Sequence, residues 1–337
     1  MSHFCFIFYL YLHMRPEQRH IISRMNEMGK RRQPFVFLFD FDFQRPVLFD
    51  WEKSRKYLLW QTPSCSNFTP PSASFPGFKW EVKPVSRTRY RNAFNSVMKQ
   101  IQQGNSYLLN LTMPSEVETD LDLEDLLYLC RAPYKIWLRD QFLCFSPEVF
   151  VRIENGRISS YPMKGTIDAE IPDAAYLLKN DRKELAEHAT IVDLIRNDLS
   201  MVAEKVEVIR FCYLDEIRTN SVNLLQMSSE VSGLLPDDYL EHLGDIFARL
   251  TPAGSICGAP KPKTVEIIKA VENYDRGYYT GIFGIFNGKV VDSCVLIRFL
   301  EKQDGRLIYK SGGGITHLSD CEMEYQELIK KIYVPFT

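Results

Sequence analysis

The chain has 337 residues, 45% of them hydrophobic and 25% charged, with 41 basic side chains against 43 acidic ones and a formal net charge of -2. That balance excludes a disordered or fibrous chain, and the absence of a basic excess argues against a protein held mainly by nucleic-acid phosphates. The length allows two domains or one large one.

Residues 4–12 (FCFIFYLYL) form an apolar run that lacks a preceding basic region and is far too short to cross a bilayer. Met14, Met25 and Met28 follow it. We read the first two dozen residues as an over-extended start or a dispensable tail, assign 1–32 to an N-terminal extension and assign 33–337 to one catalytic domain. A strand-like piece follows at 35–43, and then a Pro- and Ser-rich connection over 62–84.

Tyr90, Phe94, Val97 and Ile101 recur at helical spacing before Gly104, which predicts a helix over 86–103. A strand over 106–112 and a short helix over 121–131 come next. Strands are then expected at 134–138, 148–153 and 157–161, the last two joined at Asn155-Gly156, a hairpin turn signal. Long helices over 174–198 and 237–250 flank a strand-rich stretch, 206–233. The final third reads as a helix (264–272), a strand (278–286), an Asn287-Gly288 turn, strands at 289–300 and 307–311, and a helix from about residue 320. Antiparallel strands with irregularly placed helices predict an α+β fold.

Eight cysteines (Cys5, Cys65, Cys130, Cys144, Cys212, Cys257, Cys294 and Cys321) include no Cys-x-x-Cys pair. They read as buried thiols of a reducing cytoplasm rather than as zinc ligands or disulfides. The Asn-x-Thr sequons at Asn67 and Asn110 are then chance matches.

Glycines cluster at 254–258 and 312–314, but Ala259 follows Gly258 where a P-loop needs Lys, and nothing after Gly314 makes a dinucleotide fingerprint. Glu184 and Glu187 share a helix face, as do Glu324 and Glu327. Each pair is either a solvated stripe or, if the fold brings the pairs together, a set of oxygen ligands for a hard cation such as Mg²⁺. Lys164, near a strand end, is either exposed or a partly desolvated amine able to act as nucleophile or base. Arg298 interrupts an apolar strand, where a guanidinium needs an anion. His188 and His317 read as structural residues.

Seven blocks share one source of likeness: YPMKGT (161–166), DRKELAEHATIVDLIRNDLS (181–200), TPAGSICGAPKPKTVEII (251–268), RGYYTGIFGIF (276–286), VLIRFL (295–300), SGGGI (311–315) and EMEYQELIKK (322–331). With these blocks the chain resembles the chorismate-utilising enzymes, the group that contains anthranilate synthase component I, aminodeoxychorismate synthase component I, and isochorismate and salicylate synthases. The resemblance runs from about Tyr90 to the C-terminus.

The resemblance implies two antiparallel β-sheets packed together with helices outside, and one site on which the blocks converge. It implies that Glu187 and Glu327 hold Mg²⁺, with Glu184 and Glu324 as supporting acids. It implies that Arg298 and Lys331 hold a carboxylate of chorismate, that Ser255, Tyr279 and Thr166 contact the substrate, and that the backbone at Gly313 and Gly314 approaches it. Lys164 stands where the anthranilate, isochorismate and salicylate branches usually carry Ala. That points to the aminodeoxychorismate branch, with Lys164 catalytic and with ammonia supplied by a separate glutamine amidotransferase subunit. Asn110-Leu111 agrees with that branch. Leu108, Gln226 and Cys257 depart from the family's usual Gln, His and Thr or Ser.

Overall fold

Phe35–Phe39 is apolar at every position, the pattern of a strand with no solvated face, and all five residues are buried. It lies between Val47–Asp50 and Ile282–Phe286, antiparallel to both. The computed structural model that shows this describes residues 14–71, 77–217 and 223–335. Its contacts divide the chain into two units, each built on one antiparallel sheet.

The first unit combines the N-terminal segment through Lys53 with Val149–Ala253 and Gly281–Cys294. Among the described residues its sheet has nine strands. Leu224–Leu234 pairs with Met163–Asp168 and Arg157–Ser160 and also with the long strand Glu204–Ile217. The Phe37 ring meets Phe247 edge-on at 4.6 Å, which locks the sheet to the helix Leu243–Leu250.

Residues 16–32, expected to be an extension, contribute the helix Pro16–Lys30 to this unit. It buries Ile22, Met25 and Met28. Gly29 and Gly244 allow close backbone approach, since a Cβ on Gly29 would lie 2.2 Å from the Leu240 carbonyl and one on Gly244 2.4 Å from that of Ile22. The Asn26 side chain clamps the contact, accepting from the Gly244 N–H and donating to Asp245, each at 2.7 Å. The apolar run 4–12 lies outside the described residues. No helix among those described is long and apolar enough to cross a membrane.

The second unit holds the rest of the chain. Leu108–Thr119 pairs along its length with Arg306–Ile315, and with Trp80–Lys83 and Gly258–Ala259. The helix expected over 86–103 is Arg87–Gln102, with Ser86 accepting from the Arg89 N–H. Leu126, Leu127, Leu143, Phe145, Leu300 and Tyr309 form the centre of its core.

Several elements differ from the sequence reading. The helix expected over 174–198 is two, Ala174–Asn180 and Arg182–Ser200, because Asp181 is extended and its carboxylate caps the Glu184 N–H at 3.1 Å. The helix expected over 237–250 starts as a 3-10 turn, Tyr239–His242. The strand expected over 289–300 is Val291–Val295 in one sheet and Phe299–Gln303 in the other, parted by Arg298 at φ +54°. Phe142–Ser146, a five-residue and mostly apolar run with no alternation to mark it, forms an additional buried strand.

A buried ion pair and a buried carboxyl group shape these units. Arg276 and Glu272 are almost wholly buried and joined at 2.6 Å. Glu272 also accepts from the backbone N–H and hydroxyl of Thr112. Asp40 is fully buried at the end of Phe35–Phe39, and burial, with the neighbouring Asp42, pushes its pKa up to about 6 against the backbone N–H of Arg45.

Removing one partner of a buried pair strands the other. Glu272→Gln should therefore cost about 3–5 kcal/mol in urea unfolding. Between about pH 4 and 6 the unfolded chain releases the Asp40 proton while the folded chain keeps it, so stability falls as pH rises through that window. Asp40→Asn should remove that fall and raise the unfolding midpoint at pH 7, as read by thermal scans from pH 4 to 8.

Candidate active site

In the first unit the strand Met163–Asp168 carries Lys164 opposite Met227 and Thr166 opposite Gln226, with the register broken at Gly165. Gly165 has φ +74°, and a Cβ there would lie 3.0 Å from Glu184 Oε2. This glycine therefore lets the helix Arg182–Ser200 bring its acidic first turns onto the strand. Lys164 Nζ meets Glu187 Oε2 at 2.9 Å, with both side chains more than half buried. Lys164 is thus partly sheltered and paired rather than an exposed strand end. Thr166 is exposed beside it.

His188, next to Glu187, is fully buried, and its Nε2 lies 2.6 Å from Ser229 Oγ. Ser229 Oγ also accepts from the Cys212 N–H at 3.0 Å. Burial, helped by the Lys164 charge, lowers the imidazole pKa and favours the neutral ring.

In the second unit the helix Cys321–Lys330 presents Glu324 and Glu327 to the strand Arg306–Ile315. A Cβ on Gly313 would lie 3.5 Å from Glu324 Oε2, 3.6 Å from Glu327 Oε1 and 3.7 Å from Lys331 Nζ. Three charged groups thus converge over one bare backbone position. Lys331 pairs with Glu327 at 2.6 Å and donates to the Gly312 carbonyl at 3.0 Å, while Glu324 accepts from Ser319 Oγ at 2.8 Å. Gly314 lies opposite Asn110, and Leu108 Cδ1 is 3.1 Å from where its Cβ would be.

Arg298 is largely enclosed, its guanidinium 5.1 Å from the centre of the Tyr333 ring, and its Nε is buried without a hydrogen-bond partner. Tyr279 is buried with its ring 5.8 Å from that of Phe299. Ser255 donates to Glu148 Oε1 at 2.9 Å. Cys257 is buried in the same turn, Gly254–Cys257.

Glu148 is absent from the sequence-based set. Desolvation raises its pKa, opposed by the Ser255 hydrogen bond and by the charges of Arg298 and Lys331. It was legible only as the first residue of an expected strand. The signal available was a carboxylate opening an apolar segment, a weak one without the neighbours that the fold supplies.

The donors expected to hold Mg²⁺ are all carboxylate oxygens, the chemistry a hard cation prefers. Glu324 and Glu327 turn oxygens toward the same point above Gly313, which Lys331 Nζ also faces. Glu187 and Glu327 each carry a lysine as counter-charge. Among the described residues no cluster of three or more acidic, His or Cys side chains converges on one metal position.

The family model for chorismate binding enzymes matches residues 19–336. The chain belongs to the chorismate-binding enzyme family. The match begins well before Tyr90, where the resemblance in sequence starts, and takes in most of the helix Pro16–Lys30. The chain is 50% identical over 325 residues to an uncharacterized PabA-like protein of Pasteurella multocida, covering 93% of this chain and 98% of that one. It is 33% identical over 264 residues to aminodeoxychorismate synthase component 1 of Salmonella typhimurium, covering 74% of this chain and 57% of the relative. Anthranilate synthase component I from Streptococcus pneumoniae superposes with a TM-score of 0.63 at 26% identity, covering 75% of this chain and 58% of that one. The α+β fold of two antiparallel sheets with helices is thus that of the chorismate-utilising enzymes.

A methyl group on Gly313 would fill the space that the three charged groups share without touching backbone. Gly313→Ala should keep the unfolding midpoint while weakening chorismate binding about tenfold or more in calorimetric titration. Gly258→Ala is the contrasting control. Its Cβ would lie 1.8 Å from the Leu108 carbonyl at φ +122°, so this variant should lose stability instead.

Proposed function

We propose that the chain is an aminodeoxychorismate synthase component I, converting chorismate and ammonia to 4-amino-4-deoxychorismate on the route to p-aminobenzoate and folate. The observation that carries this reading is Lys164, a sheltered amine held at 2.9 Å by Glu187 beside the Gly165 bulge. The likeness to the Salmonella typhimurium aminodeoxychorismate synthase component supports the branch.

Lys164 is assigned the nucleophile's role. Its amine adds at C2 of chorismate as both conjugated ring double bonds shift toward C4 and the C4 hydroxyl leaves. Glu148, a buried carboxyl whose pKa desolvation raises and which Ser255 holds at 2.9 Å, is assigned the role of general acid that lets that hydroxyl depart as water. Ammonia then forms the new bond at C4, both ring double bonds shift back and the Lys164 amine leaves C2, so that two displacements give net substitution at one carbon. Arg298 and Lys331 bind carboxylate, while Ser255, Tyr279 and Thr166 and the backbone at Gly313 and Gly314 position the ring.

Glu187 and Glu327, with Glu184 and Glu324 supporting them, are the residues proposed to hold Mg²⁺, which when bound makes the ring carboxylate a better electron sink. A separate glutamine amidotransferase subunit is the proposed source of ammonia, with ammonium salts replacing it in vitro. The setting we assign is the cytoplasm, in keeping with the reading of the cysteines as thiols.

Anthranilate synthase component I is the second reading, favoured by the structural likeness to the Streptococcus pneumoniae enzyme. A non-catalytic chorismate-binding scaffold would have no use for the Lys164 and Glu187 pair. Incubation with chorismate, Mg²⁺ and an ammonium salt, followed by chromatography, should yield 4-amino-4-deoxychorismate. Fluorescent anthranilate formed without a lyase would overturn the assignment, and absence of turnover would favour the scaffold. Lys164→Ala should lower kcat by about a hundredfold or more with folding intact. Retention of full activity would remove the covalent step.

A further inference from the structure

One hydroxyl in the second unit is left without a role by the reaction proposed above. Ser311 is 3% exposed, and its Oγ is buried with no hydrogen-bond partner. An unpaired buried hydroxyl is costly, so such a group is retained where something else completes it. Alternation along the strand Arg306–Ile315 puts Tyr309, Ser311 and Gly313 on one face. That face is identified at both ends. The Cβ direction of Gly313 points at Glu324, Glu327 and Lys331, and the Tyr309 hydroxyl donates to the Tyr333 carbonyl at 2.9 Å.

Arg298 approaches the same place. Its guanidinium stacks on the Tyr333 ring at 5.1 Å. Phe299, the residue after Arg298, pairs with Lys310, the residue before Ser311, so Arg298 and Ser311 sit one step beyond the last paired rung. Arg298 Nε is itself buried without a partner. An N–H and an O–H from residues one step beyond the same paired rung, both enclosed and without a hydrogen-bond partner, are a donor set that suits the two oxygens of one carboxylate.

We propose that Ser311 is a substrate-binding residue whose hydroxyl, with Arg298 Nε, completes a two-point donor set for one carboxylate of chorismate. The inference rests on chorismate as the ligand and on Arg298 as a carboxylate anchor, and is independent of which carbon is aminated.

Calorimetric titration of chorismate, with Mg²⁺ present, into the full chain tests it. Ser311→Ala should bind five- to tenfold more weakly than wild type at an unchanged unfolding midpoint, the loss of one hydrogen bond. Ser311→Thr, which keeps the hydroxyl, should recover affinity to within about twofold. Ser311→Ala binding within twofold of wild type, or an affinity loss that tracks a fall in the unfolding midpoint, overturns the inference. Because binding is read, a wild-type chain that binds chorismate without aminating it sinks the proposed function alone. One that binds no chorismate sinks both.

Discussion

The Arg276 guanidinium has five N–H donors, and inside the second unit all five are used. Nε and one Nη2 hydrogen bond hold the two oxygens of Glu272, the other Nη2 bond goes to the Asn110 carbonyl, and Nη1 reaches the Ile256 carbonyl and Thr280 Oγ1. Glu272 in turn accepts from Thr112. One buried ion pair therefore ties the end of the helix Lys261–Glu272 to the strand Leu108–Thr119, to the turn bearing Ser255 and to the loop bearing Tyr279. Full satisfaction is what makes a buried charge pair tolerable, and it also makes the geometry specific, since displacing any of these segments leaves a desolvated donor or acceptor unpaired.

That constraint explains how loosely connected segments can present ordered polar groups. The turn Gly254–Cys257 has only one turn of helix to hold it, yet Ser255 reaches Glu148 at 2.9 Å because the Ile256 carbonyl beside it is pinned by Arg276. Glycine serves the complementary purpose. At Gly165 and Gly313 a side chain would occupy the space into which carboxylates from a facing helix project. The same device thus recurs in both units: a strand made bare at one position, an acidic helix laid over it, and a lysine paired with one of the acids at 2.6–2.9 Å.

Strongly periodic or locally signalled elements were legible in the sequence. The helix Arg87–Gln102 was readable from its 3.6-residue apolar spacing, and Tyr134–Leu138 from its apolar run. Errors arose where tertiary context decides a break. The polypeptide leaves one sheet and enters the other around Arg298, which no local preference announces, because a left-handed arginine is stabilised by its surroundings rather than by its own backbone. The helix Pro16–Lys30 falls within what was read as an N-terminal extension, and Gly29, Gly244 and Asn26 show how it packs.

The sequence by itself determined the α+β character, the acidic pairs at one-turn spacing, and through its ordered blocks the likeness to chorismate-utilising enzymes, because spacing along a helix and motif order are properties of the chain alone. Only the tertiary structure showed Lys164 sheltered against Glu187 and Arg298 enclosed against Tyr333, and only it brought in Glu148 and Ser311. The physical reason is that a charge or hydroxyl acquires its chemistry from burial and from neighbours distant in sequence. Glu327 and Gly313 are 14 residues apart, and Ser255 and Glu148 are separated by 107, so desolvation and hydrogen bonding at these positions exist only once the chain has folded.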